Sequence, residues 1–215
     1  MRAAILPDPG GCGGEGLFSP AELESFAAVK SPAARHSRMI SRLAAKVAGG
    51  CLWGMSPEEL ELRKGPEGRP DLWRTGGNER LGFLSISHTA GAAAAVAGRV
   101  PVGIDIERTG RVLKPSLINW AFTAGELKLA DRANEEDLPH LAMWCAREAA
   151  GKSWGIALLN HFDQVRVTGA DWNRQTLTVS WLGPENYRAE VLLGRAGDFL
   201  LALAGAESAL FRAES

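Results

Sequence analysis

Val102-Gly103-Ile104-Asp105-Ile106-Glu107 reads as a strand with one acidic face. Side chains alternate along a strand, so Asp105 and Glu107 project one way while Ile104 and Ile106 anchor the opposite side in the core. Upstream, Leu84, Ile86 and His88 alternate with Phe83, Ser85 and Ser87, and a run of small residues from Gly91 to Gly98 reads as strand or helix. Earlier still the signatures are helical. Ser19-Pro20-Ala21-Glu22 is a capping box opening a helix to about Val29, Ser31-Pro32 opens another that Gly49-Gly50 is expected to end, and Ser56-Pro57-Glu58-Glu59 repeats the signature for a third. Downstream, helical stretches at about 116–131 and 138–154 precede strand-like pieces at 164–168, 176–181, 187–193 and 199–204. Helices therefore precede strands twice, once in each half. The expected fold class is α+β, with two similar subdomains over 1–100 and 101–215, each of helices and mainly antiparallel strands.

The second helix of the C-terminal half carries an acid on its apolar side. At about 100° per residue, Leu141, Trp144, Cys145 and Ala149 form one stripe, and Glu148 and Lys152 fall inside it. A carboxylate held against a core without a partner costs several kcal/mol. Two partners for Glu148 are open: Lys152, at i+4 on the same helix, or a divalent cation shared with Asp105 and Glu107. The Asp-x-Glu strand likewise has an ordinary reading as a solvated outer face.

With 24 basic against 25 acidic side chains and a net charge of −1, no bulk field recruits nucleic acid or an anionic membrane. No run approaches the length of a membrane span and no cleavable leader is evident, so a cytoplasmic protein is expected. Cys12, Cys51 and Cys145 are odd in number and widely spaced, which fits neither a disulfide framework nor a structural zinc site. The glycine-rich stretch at 9–16 has no Gly-Lys-Ser/Thr after it and reads as a plain loop. The tryptophans at 53, 73, 120, 154, 172 and 181 read as core.

Gly68-Arg69-Pro70, Ser87-His88, Gly103-Ile104-Asp105-Ile106-Glu107, Phe122-Thr-Ala-Gly-Glu126 and Trp144-x-x-Arg147-Glu148-x-x-x-Lys152, in this order, resemble the motifs of the 4'-phosphopantetheinyl transferases. The likeness is to the larger, monomeric class typified by the surfactin-synthetase activator, and it spans about residues 26–155. It departs from that pattern at Arg69 and Arg147, where the family more often has lysine, so charge is kept and shape is not. The resemblance implies two subdomains related by a pseudo-twofold, with the active site, coenzyme A and magnesium in the cleft between them. It further implies transfer of the phosphopantetheine arm of coenzyme A to a serine of an apo acyl or peptidyl carrier protein, with release of adenosine 3',5'-bisphosphate.

That reaction needs cations and in-line positioning, because negative charge builds on phosphoryl oxygens and leaving group. Asp105, Glu107 and Glu148 are hard oxygen donors suited to Mg2+, and no His or Cys companion at ligand spacing points to zinc. By resemblance, Glu148 also takes the serine proton and Lys152 stabilises the departing phosphate. Glu126 is a site glutamate by resemblance and, equally, the third residue of a helix-start capping box with Thr123. His88 reads either as a core imidazole or, with Ser87, as a phosphate contact. Arg35, Arg38, Arg42 and Lys46 share an arc of about 80° on their helix; this is a solvated basic face or, by resemblance, the source of a 3'-phosphate clamp for which Arg42 and Arg69 are the first choices and Arg38 the next. Two other functions use the same residues: another magnesium-dependent phosphoester enzyme such as a nuclease or phosphohydrolase, and a non-catalytic module that binds carrier domains or coenzyme A.

Overall fold

Alanines 92–95 form the middle of a sheet. Alanine alone favours helix, but here β5 (Ala92–Gly98) is hydrogen-bonded on both edges, by β1 (Arg2–Pro7) and β4 (Arg80–Thr89), and every one of its residues is buried. Tertiary pairing overrides propensity, and the small side chains let a long helix lie close. That helix, α2 (Pro32–Trp53), packs Ile40, Ala44, Ala45 and Ala48 against Ala93, Ala95 and Ala97. The computed structural model describes residues 1–7, 15–65, 70–184 and 186–205, and the chain divides into two compact units, Met1–Val102 and Gly103–Ser215.

The first unit opens with β1, which the sequence reading missed, and α1 (Pro20–Ala27), whose Ser19–Glu22 capping box is formed. Helix α2 runs past Gly49-Gly50, contrary to expectation, and stops at Gly54 in the left-handed region with φ 68°. Those glycines serve packing instead. A Cβ on Gly49 would collide with the Leu72 side chain, and one on Gly50 would stand 2.5 Å from the Met55 carbonyl. Ser56-Pro57 starts a single 3-10 turn (Pro57–Glu59), after which Leu60 and Leu62 turn the chain into β2 (Leu60–Lys64) by burying on alternate positions. With β3 (Pro70–Arg74) the sheet runs β1-β5-β4-β3-β2, antiparallel throughout.

In the second unit, β6 (Val102–Arg108) is followed by α3 (Pro115–Ala121), α4 (Ala124–Ala130) and α5 (Pro139–Trp154). The predicted stretch 116–131 is split, because Thr123 leaves the helical region to cap α4 with its hydroxyl. Then come β7 (Val165–Asp171), β8 (Thr176–Trp181), β9 (Arg188–Ala196) and β10 (Phe199–Gly205), in the sheet order β6-β10-β9-β8-β7. The fold is thus α+β with two five-stranded sheets and five α-helices among the described residues. Helix α5 lies over the second sheet with Leu141, Met143, Cys145, Ala146, Ala149 and Ala150 at 0–4% exposure. Trp172 and Trp181 belong to this core, but Trp120 corrects the core expectation: it is 63% exposed and stacks flat on Phe162 at 4.6 Å. Among the described residues no helix is long and apolar enough to cross a membrane.

Candidate active site

Gly103 brings β6 against α5. A Cβ there would collide with the Ala149 carbonyl and lie 2.7 Å from the Ser153 amide. Two residues on, Asp105 projects from the same face of the strand, and α5 meets it with Cys145, Ala149 and Lys152, spaced i, i+4, i+7 on one stripe. Lys152 Nζ donates to Asp105 Oδ1 at 2.8 Å and to the Ile104 carbonyl at 3.1 Å. Burial, and then the nearby charge of Asp105, push the Cys145 thiol well above its ordinary 9.0 and keep the proton on sulfur. Asp105 itself is 6% exposed, and the Lys152 ammonium meets it from α5.

Glu148 is half-buried on the same helix, and among the described residues no hydrogen bond or ion pair reaches it. The i, i+4 pair with Lys152 that the spacing allowed is not formed; Lys152 turns to Asp105. Burial, and then the negative charge of Asp105, raise the Glu148 carboxyl above its ordinary 4.5, against the opposing pull of Lys152 and Arg147. Glu107, next on the acidic face of β6, pairs with Arg111, whose guanidinium also stands 6.0 Å from the centre of the Trp144 ring.

Among the described residues no three His, Cys, Asp or Glu side chains are gathered as around a bound ion. The donor chemistry nevertheless fits a hard cation. A desolvated carboxylate without a partner, crowded by the charge of a second carboxylate, is relieved on both counts by a divalent ion with oxygen preference.

Glu126 takes the capping role that its spacing allowed. It is 2% exposed, and Oε2 accepts from the Thr123 amide and hydroxyl, both at 2.9 Å, while Oε1 accepts from the Val167 amide of β7 at 2.9 Å. Its countercharges are Arg166 at 3.6 Å and Arg147 at 3.9 Å. Arg147 is fully buried beneath the site: Nη1 donates to the Ala121 carbonyl at 2.7 Å, Nη2 to the Phe162 carbonyl, and Cζ lies 3.8 Å from the Phe162 ring centre. Burial lowers its pKa to about 10 although Glu126 pulls the other way, and its Nε has no hydrogen-bond partner among the described residues. The arginine that replaces the more usual lysine is therefore a strut between α5, the end of α3 and the segment before β7.

In the first unit the basic stripe of α2 is divided, with Lys46 and Arg42 engaged by the fold and Arg38 exposed. Lys46 is wholly buried, 2.7 Å from Glu22 Oε2, and donates to the Leu17 carbonyl at 2.6 Å; burial lowers its pKa against the raising influence of Glu22. Arg42 Nη1 donates to the Leu62 carbonyl at 2.8 Å and to Glu22 Oε1 at 3.3 Å. Arg38 remains exposed, with Nη1 3.4 Å from the Ser25 carbonyl. Ser87 is buried and His88 is exposed at the end of β4, so the core-imidazole alternative is not realised. Arg69 lies outside the described residues. None of the predicted site residues lines the cavity of about 510 Å³ around Thr109, Leu138, Gln175 and Arg195.

Two participants were not picked out from sequence. Gly103 was read only as part of a motif, and Cys145 as an ordinary thiol. The signal for both was the spacing: 103 and 105 share a strand face, and 145 lies seven residues before 152 on a helix.

Residues 101–204 match the family model described as the 4'-phosphopantetheinyl transferase superfamily. The match takes in β6 with both its acids, the Glu126 cap and all of α5, and it reaches the last strand of the second unit. The match covers 104 of the 215 residues, a likeness to that superfamily over the second unit that supports phosphopantetheine transfer in general. No curated protein matches the chain.

Proposed function

We propose that this chain moves the 4'-phosphopantetheine arm of coenzyme A onto a serine of an apo acyl or peptidyl carrier protein and releases adenosine 3',5'-bisphosphate, as a cytoplasmic monomer of the surfactin-synthetase-activator class. The observation that carries the proposal is the convergence of Asp105, Glu148 and Lys152 inside the segment matching the transferase superfamily. Asp105, Glu107 and Glu148 would hold a magnesium ion, which supplies positive charge to the pyrophosphate oxygens.

The protein's own groups divide the remaining work. Glu148, whose proton affinity is raised by burial and by Asp105, takes the serine proton, directly or through one water, as the oxygen attacks phosphorus. Lys152, which donates to Asp105 and to the Ile104 carbonyl, brings positive charge to the leaving phosphate. Glu126 acts at one remove, by fixing the start of α4 and compensating Arg147. Coenzyme A phosphates are contacted from the first unit by Arg38, Arg69, Ser87 and His88, and by the part of the Arg42 guanidinium not committed to Leu62 and Glu22. Release of adenosine 3',5'-bisphosphate from coenzyme A, mole for mole with modified carrier, is the test. Absence of release with a panel of apo carriers, magnesium present and the protein folded, refutes it.

A further inference from the structure

Glu22 of α1 gathers four donors in the first unit. Its Oε1 accepts from the Leu62 amide at 3.2 Å and from Arg42 Nη1 at 3.3 Å; its Oε2 accepts from the Ser19 amide at 3.0 Å and lies 2.7 Å from Lys46 Nζ. The side chains of Glu22 and Lys46 are 1% and 0% exposed, so that pair is sealed, whereas Arg42 reaches the surface at 19%. Arg42 Nη1 also donates to the Leu62 carbonyl at 2.8 Å, and its Cζ stands 5.6 Å from the centre of the buried Phe26 ring. A guanidinium is a rigid planar fork, so two acceptors on Nη1 and a ring against its face decide where the opposite edge, Nε with Nη2, is turned. Among the described residues that edge has no hydrogen-bond partner and is not closed off from solvent. The charges of the trio add to one positive: the ammonium of Lys46 offsets the carboxylate, and the guanidinium is left over. Stability alone does not ask for this, since a buried ion pair is often replaced by apolar residues at no cost.

We propose that Glu22 and Lys46 are positioning residues for coenzyme A. Glu22 turns the Nε–Nη2 edge of Arg42 outward as a bidentate fork for a phosphate monoester, and Lys46 offsets the charge of Glu22 so that the charge of Arg42 remains for that phosphate. The inference rests on the function proposed above, and it gives both residues their effect through Arg42, without contact to the ligand. Without Lys46, Glu22 would neutralise the guanidinium it orients; without Glu22, the fork would keep its charge and lose its direction.

The readout is the preference for coenzyme A over 3'-dephospho-coenzyme A, taken as a ratio of dissociation constants by titration calorimetry, because general damage to the site weakens both ligands alike. Lys46→Met should lower that preference about tenfold, the scale of one charge-assisted hydrogen bond. Adding Glu22→Gln removes the offending charge and keeps an acceptor for Arg42, and should bring the preference back to within a fewfold of wild type. Glu22→Leu with Lys46→Met is equally neutral but has no acceptor, and should lower it about tenfold again. Should Lys46→Met alone fail to fold, the two neutral pairs still carry the comparison. A nitrogen-15 spectrum of the arginine side chains gives a readout independent of ligand: a pinned guanidinium shows separate Nη resonances, expected for Arg42 in wild type and in the Gln/Met pair, and expected to merge in the Leu/Met pair. If the Leu/Met pair folds and keeps the preference of wild type, or if the Arg42 resonances are merged in wild type, Glu22 and Lys46 serve packing only and the inference is overturned. A wild type that binds coenzyme A with no preference for its 3'-phosphate overturns it as well. If wild type binds neither ligand and transfers nothing, while its Arg42 resonances are separate and merge in the Leu/Met pair, the function fails and the orientation of Arg42 by Glu22 stands.

Discussion

The Lys152 ammonium lies 2.8 Å from Asp105 Oδ1, across the packing of α5 on β6, and leaves Glu148, one turn back on its own helix, with charge interactions alone among the described residues. A local pair would have cost less order; the structure makes the long-range one. That choice neutralises the more buried acid and leaves the other desolvated and available, an arrangement that stability alone does not favour.

Removing the ammonium should therefore harm both fold and chemistry. Lys152→Met strips the buried Asp105 of its ammonium partner, and a loss of about 1–3 kcal/mol is expected, less than for a fully enclosed pair because the Lys152 side chain is 29% exposed. Transfer should fall by roughly 10²–10³. Adding Asp105→Asn should recover the stability, measured by urea unfolding, without recovering any transfer.

Glu148 predicts a pH signature. Its folded pKa is raised, so its favourable contribution is complete below the ordinary 4.5 and is lost as pH rises through the folded value. Glu148→Gln, which cannot ionise, should then melt higher than wild type at pH 7 in chelator and show no such gain at pH 4. A melting difference of the same size at both pH values would contradict the assignment. The same variant should be inactive at every pH.

Arg147 is expected to behave as a strut. Arg147→Ala opens a cavity, frees two carbonyls and strips Glu126 of a countercharge, for a cost of about 3–5 kcal/mol. Arg147→Lys restores the charge that the family more often carries but cannot span Ala121 and Phe162 together; an intermediate loss in chemical denaturation is expected. Activity of the lysine variant, measured where it is folded, should stay within a fewfold of wild type.

Gly103→Ala tests the contact on which the site is built. The added methyl meets the Ala149 carbonyl, so β6 and α5 must part, at a cost of about 1–3 kcal/mol or more. Lys152 then loses its reach to Asp105, and transfer should drop with no change to any charged residue.

The acidic strand and the apolar stripe of α5 were legible because each is a local period, two residues for a strand and 3.6 for a helix, whereas the expected helix-then-strand order missed that β1 and β6 each precede the helices of their unit. Strand β5 was ambiguous because alanine has no face to declare; only the pairing with β1 and β4, far apart in sequence, settles it. Gly49-Gly50 misled for a related reason, since a glycine that admits Leu72 looks the same as one that ends a helix. Within the site, residue types and their neighbourhood could be read, but partner choice could not. Whether Lys152 would take Glu148 or Asp105, and whether Arg42 would face solvent or Glu22, depends on elements brought together only by the fold.

The most direct measurement is the intact mass of an apo carrier protein after incubation with coenzyme A, magnesium and this protein, beside a folded Glu148→Gln control. The account predicts that the carrier gains one phosphopantetheine arm on its serine with wild type and stays unmodified with the control. An unmodified carrier with wild type across acyl and peptidyl carriers, or a full gain with the control, would contradict it.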